Sequence, residues 1–278
     1  MAILTVNVNT CNRDGLCAKV CPAGIIAFSK GELPQLADDA AEYCIACGHC
    51  VAVCPTASLS HEKMAADACP PIQKKLQLST AQSEQFLRSR RSIRAYKDQP
   101  VDRLQIAKLI EVASHAPSGH NLQSAQWRVV DSRPQVEKLA ATVIDWMHWM
   151  IANQPGIAVD LHMPRVVERW EAGNDVILRG APALVVAHAA KDERTAPAAC
   201  TIALAYLELA AVPMGLGTCW AGYFWAAAQG FPATIAALDL PVGHQCFGAM
   251  MVGVPRFAYQ RLPLRNAPVI SWWDGRGK

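Results

Sequence analysis

The chain opens on an alternating stretch, Ile3-Leu4-Thr5-Val6-Asn7-Val8, which has the period-2 pattern of a strand. From about residue 82 the pattern becomes an alternation of helix and strand. The spacing predicts a helical lead-in over 83–89 that ends at Arg90. A helix over 102–115 follows, with Asp102 as N-cap and Gln105 three residues on, the layout of a capping box. Residues 126–131 read as a strand, and 134–151 as a helix with Pro134 suited to its first turn. The continuous apolar run 183–188 reads as a strand covered on both faces. Residues 195–212 form a long helix closed by Pro213 and Gly215, and 245–252 are a second buried strand. Together these elements predict an α+β fold, rich in helix, around a small sheet.

Composition narrows this picture. At 278 residues and 52% hydrophobic content, the chain is long enough for one small and one medium domain with a true core. No apolar run of 18 or more residues is free of charge, so no membrane span is expected. The start lacks a basic n-region, which points to a cytoplasmic protein whose thiols stay reduced. Charge is unevenly divided. Residues 1–60 hold three basic against five acidic side chains, and the rest of the chain holds 23 basic against 18 acidic. That excess is too small to suggest a nucleic-acid surface.

The first 54 residues carry seven cysteines in a repeated frame. The second copy, Cys44-x2-Cys47-x2-Cys50-x3-Cys54-Pro55, is the spacing of an iron–sulfur ligand run. The first copy, Cys11 to Cys21-Pro22, is the same frame with Asp14 where the second cysteine belongs and Cys17 in third place. In two-cluster ferredoxins the fourth cysteine of each run ligates the other run's cluster. One cluster therefore takes Cys44, Cys47, Cys50 and Cys21. The other takes Cys11, Cys17 and Cys54, as a [4Fe-4S] or [3Fe-4S] cluster. Two readings stand for Asp14. In one, its carboxylate holds a fourth, labile iron; in the other, it is a solvated side chain beside a three-iron cluster. Zinc sites also use Cys-x-x-Cys pairs but rarely two Cys-Pro runs in this order. His49, inside the second run, is a candidate modulator of its cluster. The frame predicts a pseudo-twofold cluster domain over 1–60 and a linker over 61–81 with Cys69-Pro70-Pro71 at its centre.

Four further segments carry candidate chemistry. Arg90-Arg91-Ser92-Ile93-Arg94 packs three guanidiniums and a hydroxyl into five residues, a natural phosphate grip. Ala116-Pro117-Ser118-Gly119-His120-Asn121-Leu122-Gln123 offers turn geometry, backbone donors and amides. Gly215-Leu216-Gly217-Thr218 reads as a glycine-rich turn opening a helix, with free N–H groups for a ring or anion. Val252 to Pro263 adds a second basic segment containing Arg261. No G-x-G-x-x-G follows a strand, so no Rossmann site is encoded. Cys200, Cys219 and Cys246 lie in apolar stretches and read as buried packing thiols.

In their order, these segments resemble the FMN-dependent nitroreductase family over roughly 82–273, and the whole chain resembles a ferredoxin–nitroreductase fusion. The resemblance implies a nitroreductase-like, FMN-binding α/β sandwich over 82–278, preceded by a small bacterial-ferredoxin-like domain. It implies that Arg90, Arg91, Ser92, Arg94 and Arg261 hold the FMN phosphate, and that Asn121 contacts the isoalloxazine. Pro117, Ser118 and Gln123 share that segment, and Gly217 and Thr218 bring backbone donors to the ring. It further implies an intertwined homodimer with FMN at the interface, and leaves room for NAD(P)H without a Rossmann fold.

The expected activity is a flavin-dependent reductase. A low-potential donor, ferredoxin-like or NAD(P)H-linked, would feed electrons through the clusters to FMN, and a nitro, quinone or conjugated small molecule would accept them. The competing expectation is an electron-carrier or redox-sensing module that serves a protein partner. An open pocket at the flavin would favour the enzyme.

Overall fold

The computed structural model describes residues 3–275. The N-terminal unit runs β1 (Leu4–Val6), α1 (Leu16–Lys19), β2 (Ile26–Ala27), β3 (Gln35–Leu36), α2 (Ala40–Tyr43), α3 (His49–Ala52) and β4 (Leu59–His61). β1 pairs with β4, and β2 with β3, both antiparallel. A small core of Ile3, Leu4, Ile25, Ile26, Val51 and Leu59 lies between them.

The repeat seen in the cysteines also governs the backbone. Arg13 and Ala46 both take left-handed φ, at 56° and 49°, and so do Gly15 and Gly48, at 71° and 73°. Gly24 and Ala57 form a third equivalent pair, at 64° and 50°. Each left-handed residue tightens the chain around its cysteine loop, a conformation that costs a non-glycine residue about 1 kcal/mol or more. At Gly15 a β-carbon would also lie 2.4 Å from the Phe28 ring, and at Gly48 2.9 Å from Met64 Sδ. Glycine between the second and third ligand positions is therefore required twice over.

After a stretch with two short 3-10 turns, the larger unit begins at α4 (Thr80–Ser89) and α5 (Arg103–Ala113). It continues with β5 (Gln126–Val130), α6 (Arg133–Asn153), α7 (Pro155–Asp160), α8 (Met163–Glu171), β6 (Ala183–Ala190) and α9 (Ala196–Ala211). It closes with β7 (Gly217–Trp220), α10 (Gly222–Ala228), α11 (Pro232–Leu238) and β8 (His244–Gly253). The sheet is antiparallel in the order β5-β6-β8-β7.

Helices cover both faces of this sheet, which explains the unbroken apolar run in β6. Leu184 and Val186 enter one core with α6, α8 and α10. Ala183, Val185 and Ala187 enter the other, with α5 and α9. Val143, Met147, Phe224, Leu204 and Leu207 are fully buried, each a loss of roughly 1.5–3 kcal/mol of transfer free energy if exposed.

Two local expectations change. The capping box closes α4 rather than α5: the Ser79 hydroxyl accepts from Gln82 N while the Gln82 side chain takes the Ser79 N–H. At α5, Asp102 caps Leu104 N alone. The glycine segment 215–218 does not open a helix. Gly217–Trp220 is the edge strand β7, and α10 starts only at Gly222. β-Ladder pairing with β8 uses the backbone that the glycines were expected to leave free.

Candidate functional site

Two small cavities in the N-terminal unit gather the cysteines in interleaved sets. Cys21, Cys44, Cys47 and Cys50 line one, together with His49 and His61. Cys11, Asp14, Cys17 and Cys54 line the other. Helices α1 and α3 start beside Gly15 and Gly48, so each run's last cysteine is carried away from its own loop and towards the other. The thiols ring each cavity rather than meet at a point. Among the described residues, no three His, Cys, Asp or Glu side chains converge closely enough to hold a single ion. Such a rim of thiols fits a multi-iron cluster bonded at its corners.

The two sets differ in their surroundings. Burial, with the Cys47 and Cys21 thiols adding to it, pushes the Cys50 thiol up to about 11. At Cys54 burial also pushes upwards, but hydrogen bonds from Thr56 and Ser58 outweigh it and leave the thiol below its ordinary value. The Ser58 N–H reaches Cys54 Sγ at 3.3 Å and the Thr56 hydroxyl at 3.6 Å. Asp14 Oδ1 accepts the Leu16 N–H at 3.0 Å, so one carboxylate oxygen is engaged at the start of α1. His61 Nε2 lies 3.6 Å from Cys44 Sγ.

A larger cavity of about 600 Å³ opens where the arginine segment meets the sheet edge. Its walls include Arg90, Arg91, Lys97, Gly215–Thr218, Pro255, Arg256 and Tyr259. Backbone bonds assemble it. Ile93 N donates to Thr218 O at 2.8 Å, Lys97 N to Val254 O at 2.8 Å and Arg256 N to Ala95 O at 3.0 Å. The chain packs so tightly there that a β-carbon on Gly217 would lie 2.5 Å from Ile93 Cγ1. Arg90 Nη1 pairs with Glu208 Oε1 at 2.9 Å, and the half-buried Arg91 stands 6.0 Å over the Tyr259 ring. Thr218 is buried, with its hydroxyl 3.5 Å from the same Glu208 oxygen.

Other sequence-selected residues stand elsewhere. Ser92 bonds towards the buried Cys219, whose thiol burial pushes up while Arg94 and Arg179 draw it down. Arg94 and Arg261 are exposed and do not line the cavity. Pro117, Ser118 and Gln123 border a separate groove with Trp127 and Ala199. Asn121 turns to the N-terminal unit, its Nδ2 donating to Ala46 O at 2.9 Å and Ile45 O at 3.3 Å. Lys97, Arg256, Tyr259 and Glu208 form part of the cavity or hold its arginine, yet sequence inspection did not select them. The basic character of 252–263 hinted at Arg256. Nothing in the pattern marks Glu208, which reaches Arg90 from the last turn of α9.

Residues 87–254 match the nitroreductase family, and residues 3–55 match a 4Fe-4S dicluster domain. The chain belongs to the nitroreductase family. It is a flavin-dependent oxidoreductase with an N-terminal iron–sulfur unit, organised as a ferredoxin–nitroreductase fusion. Its fold is similar to that of a nitroreductase with bound FMN from Bacteroides fragilis NCTC 9343, at 21% identity and TM-score 0.58, over 69% of this chain and 98% of that one. A nitroreductase with bound FMN from Desulfitobacterium hafniense DCB-2 aligns at 22% identity and TM-score 0.55, over 69% and 98%. A BluB-like flavoprotein from Clostridium difficile 630 aligns at 20% identity and TM-score 0.55, over 68% and 99%. The α+β fold, a nitroreductase-like sandwich preceded by a small ferredoxin-like domain, is thus the expected one. No described helix is long and apolar enough to cross a membrane.

Proposed function

We propose that this protein takes electrons from an external low-potential donor through two iron–sulfur clusters to FMN, and reduces a nitro, quinone or conjugated small molecule. The carrying observation is the cavity of about 600 Å³ at the sheet edge, which combines open volume with cations. Its size falls within the roughly 300–1,000 Å³ usual for small-molecule and cofactor sites. Arg91, Lys97 and Arg256 supply positive charge for a phosphate, while Arg90 is already matched by Glu208. The Ile93 and Pro255 side chains fill the space a β-carbon on Gly217 would need, which holds the arginine segment close against the sheet edge. Bound there, FMN supplies the exchange between one-electron and two-electron chemistry, and the protein supplies binding, orientation and charge.

We read the domains as 1–60, a linker over 61–81 and 82–278; β4 ends at His61 and α4 starts at Thr80, so both elements run slightly into that linker. Cys21, Cys44, Cys47 and Cys50 would hold one cluster, and Cys11, Cys17 and Cys54 with Asp14 the other. A homodimer would complete the flavin site. Within one chain the arginine cavity and the Pro117–Gln123 groove are separate walls, and a second copy can bring them together. The arm after β8 supports this, since Leu264, Trp272 and Trp273 stand 99%, 88% and 89% exposed on one chain. Seven cysteines assigned to clusters and four further ones outside any disulfide suit a reducing, cytoplasmic setting. An open cavity favours small-molecule reduction over a pure relay to a protein partner. Anaerobic turnover against a panel of nitroaromatics, quinones and conjugated carbonyls tests the proposal. FMN-bearing protein that reduces none of them would reject it in favour of the relay.

A further inference from the structure

His61 ends β4 and is only 5% exposed, on the wall of the cavity ringed by Cys21, Cys44, Cys47 and Cys50. Its backbone is fixed by a two-way bridge with Met64, whose sulfur in turn lies against Gly48. Its Nδ1 accepts the Lys63 N–H at 3.0 Å. A neutral imidazole carries one ring proton, so this bond assigns the proton to Nε2. Nε2 is the atom 3.6 Å from Cys44 Sγ. A thiolate bound to iron has no proton to give, so here the ring donates and the sulfur accepts. Hydrogen bonds to cluster sulfurs stabilise the charge gained on reduction and raise the reduction potential. His49, by contrast, is exposed at the start of α3.

The same loop adjoins the larger unit. Asn121 donates to the carbonyls of Ile45 and Ala46, the two residues between Cys44 and Cys47. We propose that His61 is a positioning residue of the cluster held by Cys21, Cys44, Cys47 and Cys50, donating its Nε2–H to the Cys44 sulfur and raising the potential of the cluster that borders the nitroreductase unit. This rests on the cluster assignment above and adds a residue that lies outside both cysteine runs.

The test is a potentiometric titration of the full-length holoprotein followed by electron paramagnetic resonance, with iron and sulfide measured first. In His61→Phe, one cluster should lose about tenfold in its reduced-to-oxidised ratio at a fixed poise, about 59 mV for one electron. The other cluster should keep its potential. His61→Gln, whose amide can still donate, should recover most of the loss. Unmoved potentials in His61→Phe, or an equal shift in both variants, would overturn the inference. Should the variants not assemble the cluster, nuclear double resonance on the wild type decides. A cluster-coupled proton that exchanges in D2O, together with coupling from 15N-labelled histidine, is expected; neither appearing would overturn the inference. Wild-type protein without iron and sulfide would instead sink the cluster assignment itself.

Discussion

Asp14 and Cys47 occupy the same place in two copies of one loop, and the loops share their left-handed residues on either side. The exchange of ligand is therefore a change of chemistry on a nearly constant backbone. A carboxylate is a harder ligand than a thiolate and holds iron beside sulfide less firmly. One Asp14 oxygen is also engaged by Leu16 N. Controlled oxidation should convert the Cys11, Cys17 and Cys54 cluster to a three-iron form first, visible by electron paramagnetic resonance, and Asp14→Cys should abolish that selectivity. Equal three-iron signals in wild type and variant would remove Asp14 from the explanation. Arg90 and Arg91 should separate in a similar way. Arg91→Ala should weaken FMN retention severalfold at little cost in stability, because among the described residues its guanidinium forms no ion pair with a carboxylate. Arg90→Ala should also cost about 1 kcal/mol in denaturant unfolding, since Glu208 is left partly buried without its partner. Unchanged flavin affinity in both variants would displace the phosphate from this cavity.

At the scale of elements, the long periodic segments were legible: the helices over 102–115, 134–151 and 195–212 and the strands over 126–131, 183–188 and 245–252 all appear within a few residues of expectation. Hydrophobic period alone determines those, because each face must meet a core. The glycine segment was misjudged because Gly217 serves close packing against Ile93 and Pro255 inside a strand, a tertiary demand invisible in local sequence, while Gly215 takes a left-handed turn just before it. His61 and Glu208 escaped notice for the same reason, as each acts on a partner brought near only by folding.

The bulge at Ala187/His188 supplies an element-scale prediction. His188 is 4% exposed, with Nδ1 2.9 Å from His244 Nδ1. Burial, then the charge of His244 and of Arg128, lowers its pKa from 6.5 to about 4. Between those values the unfolded chain binds the proton that the folded chain refuses. Stability from this group is therefore full above about pH 6.5 and declines as pH falls towards 4. Between pH 7 and 5 the wild type should lose roughly 1–2 kcal/mol more than His188→Asn in denaturant unfolding. Parallel pH profiles would show that His188 is not the group responsible.

For the whole molecule, Asn121 of the nitroreductase unit meets the cysteine loop around Ala46, while the cationic cavity lies apart from that contact within one chain; the proposed relay requires electrons to pass from the N-terminal unit to the flavin unit. Both units could be named from their motifs, because ligand spacing and cofactor segments are local. Their contact could not, since Asn121 meets Ala46 across 75 residues of sequence. The most direct measurement is anaerobic rapid mixing of the FMN-loaded protein with a reduced, low-potential, one-electron donor, following the flavin absorbance in wild type and Cys47→Ser. The account predicts that the wild-type flavin bleaches at least tenfold faster than the variant's, while iron analysis shows the variant lacking one cluster and extraction shows FMN still bound. Equal bleaching rates with that cluster absent would contradict it, because electrons would then reach the flavin without the relay.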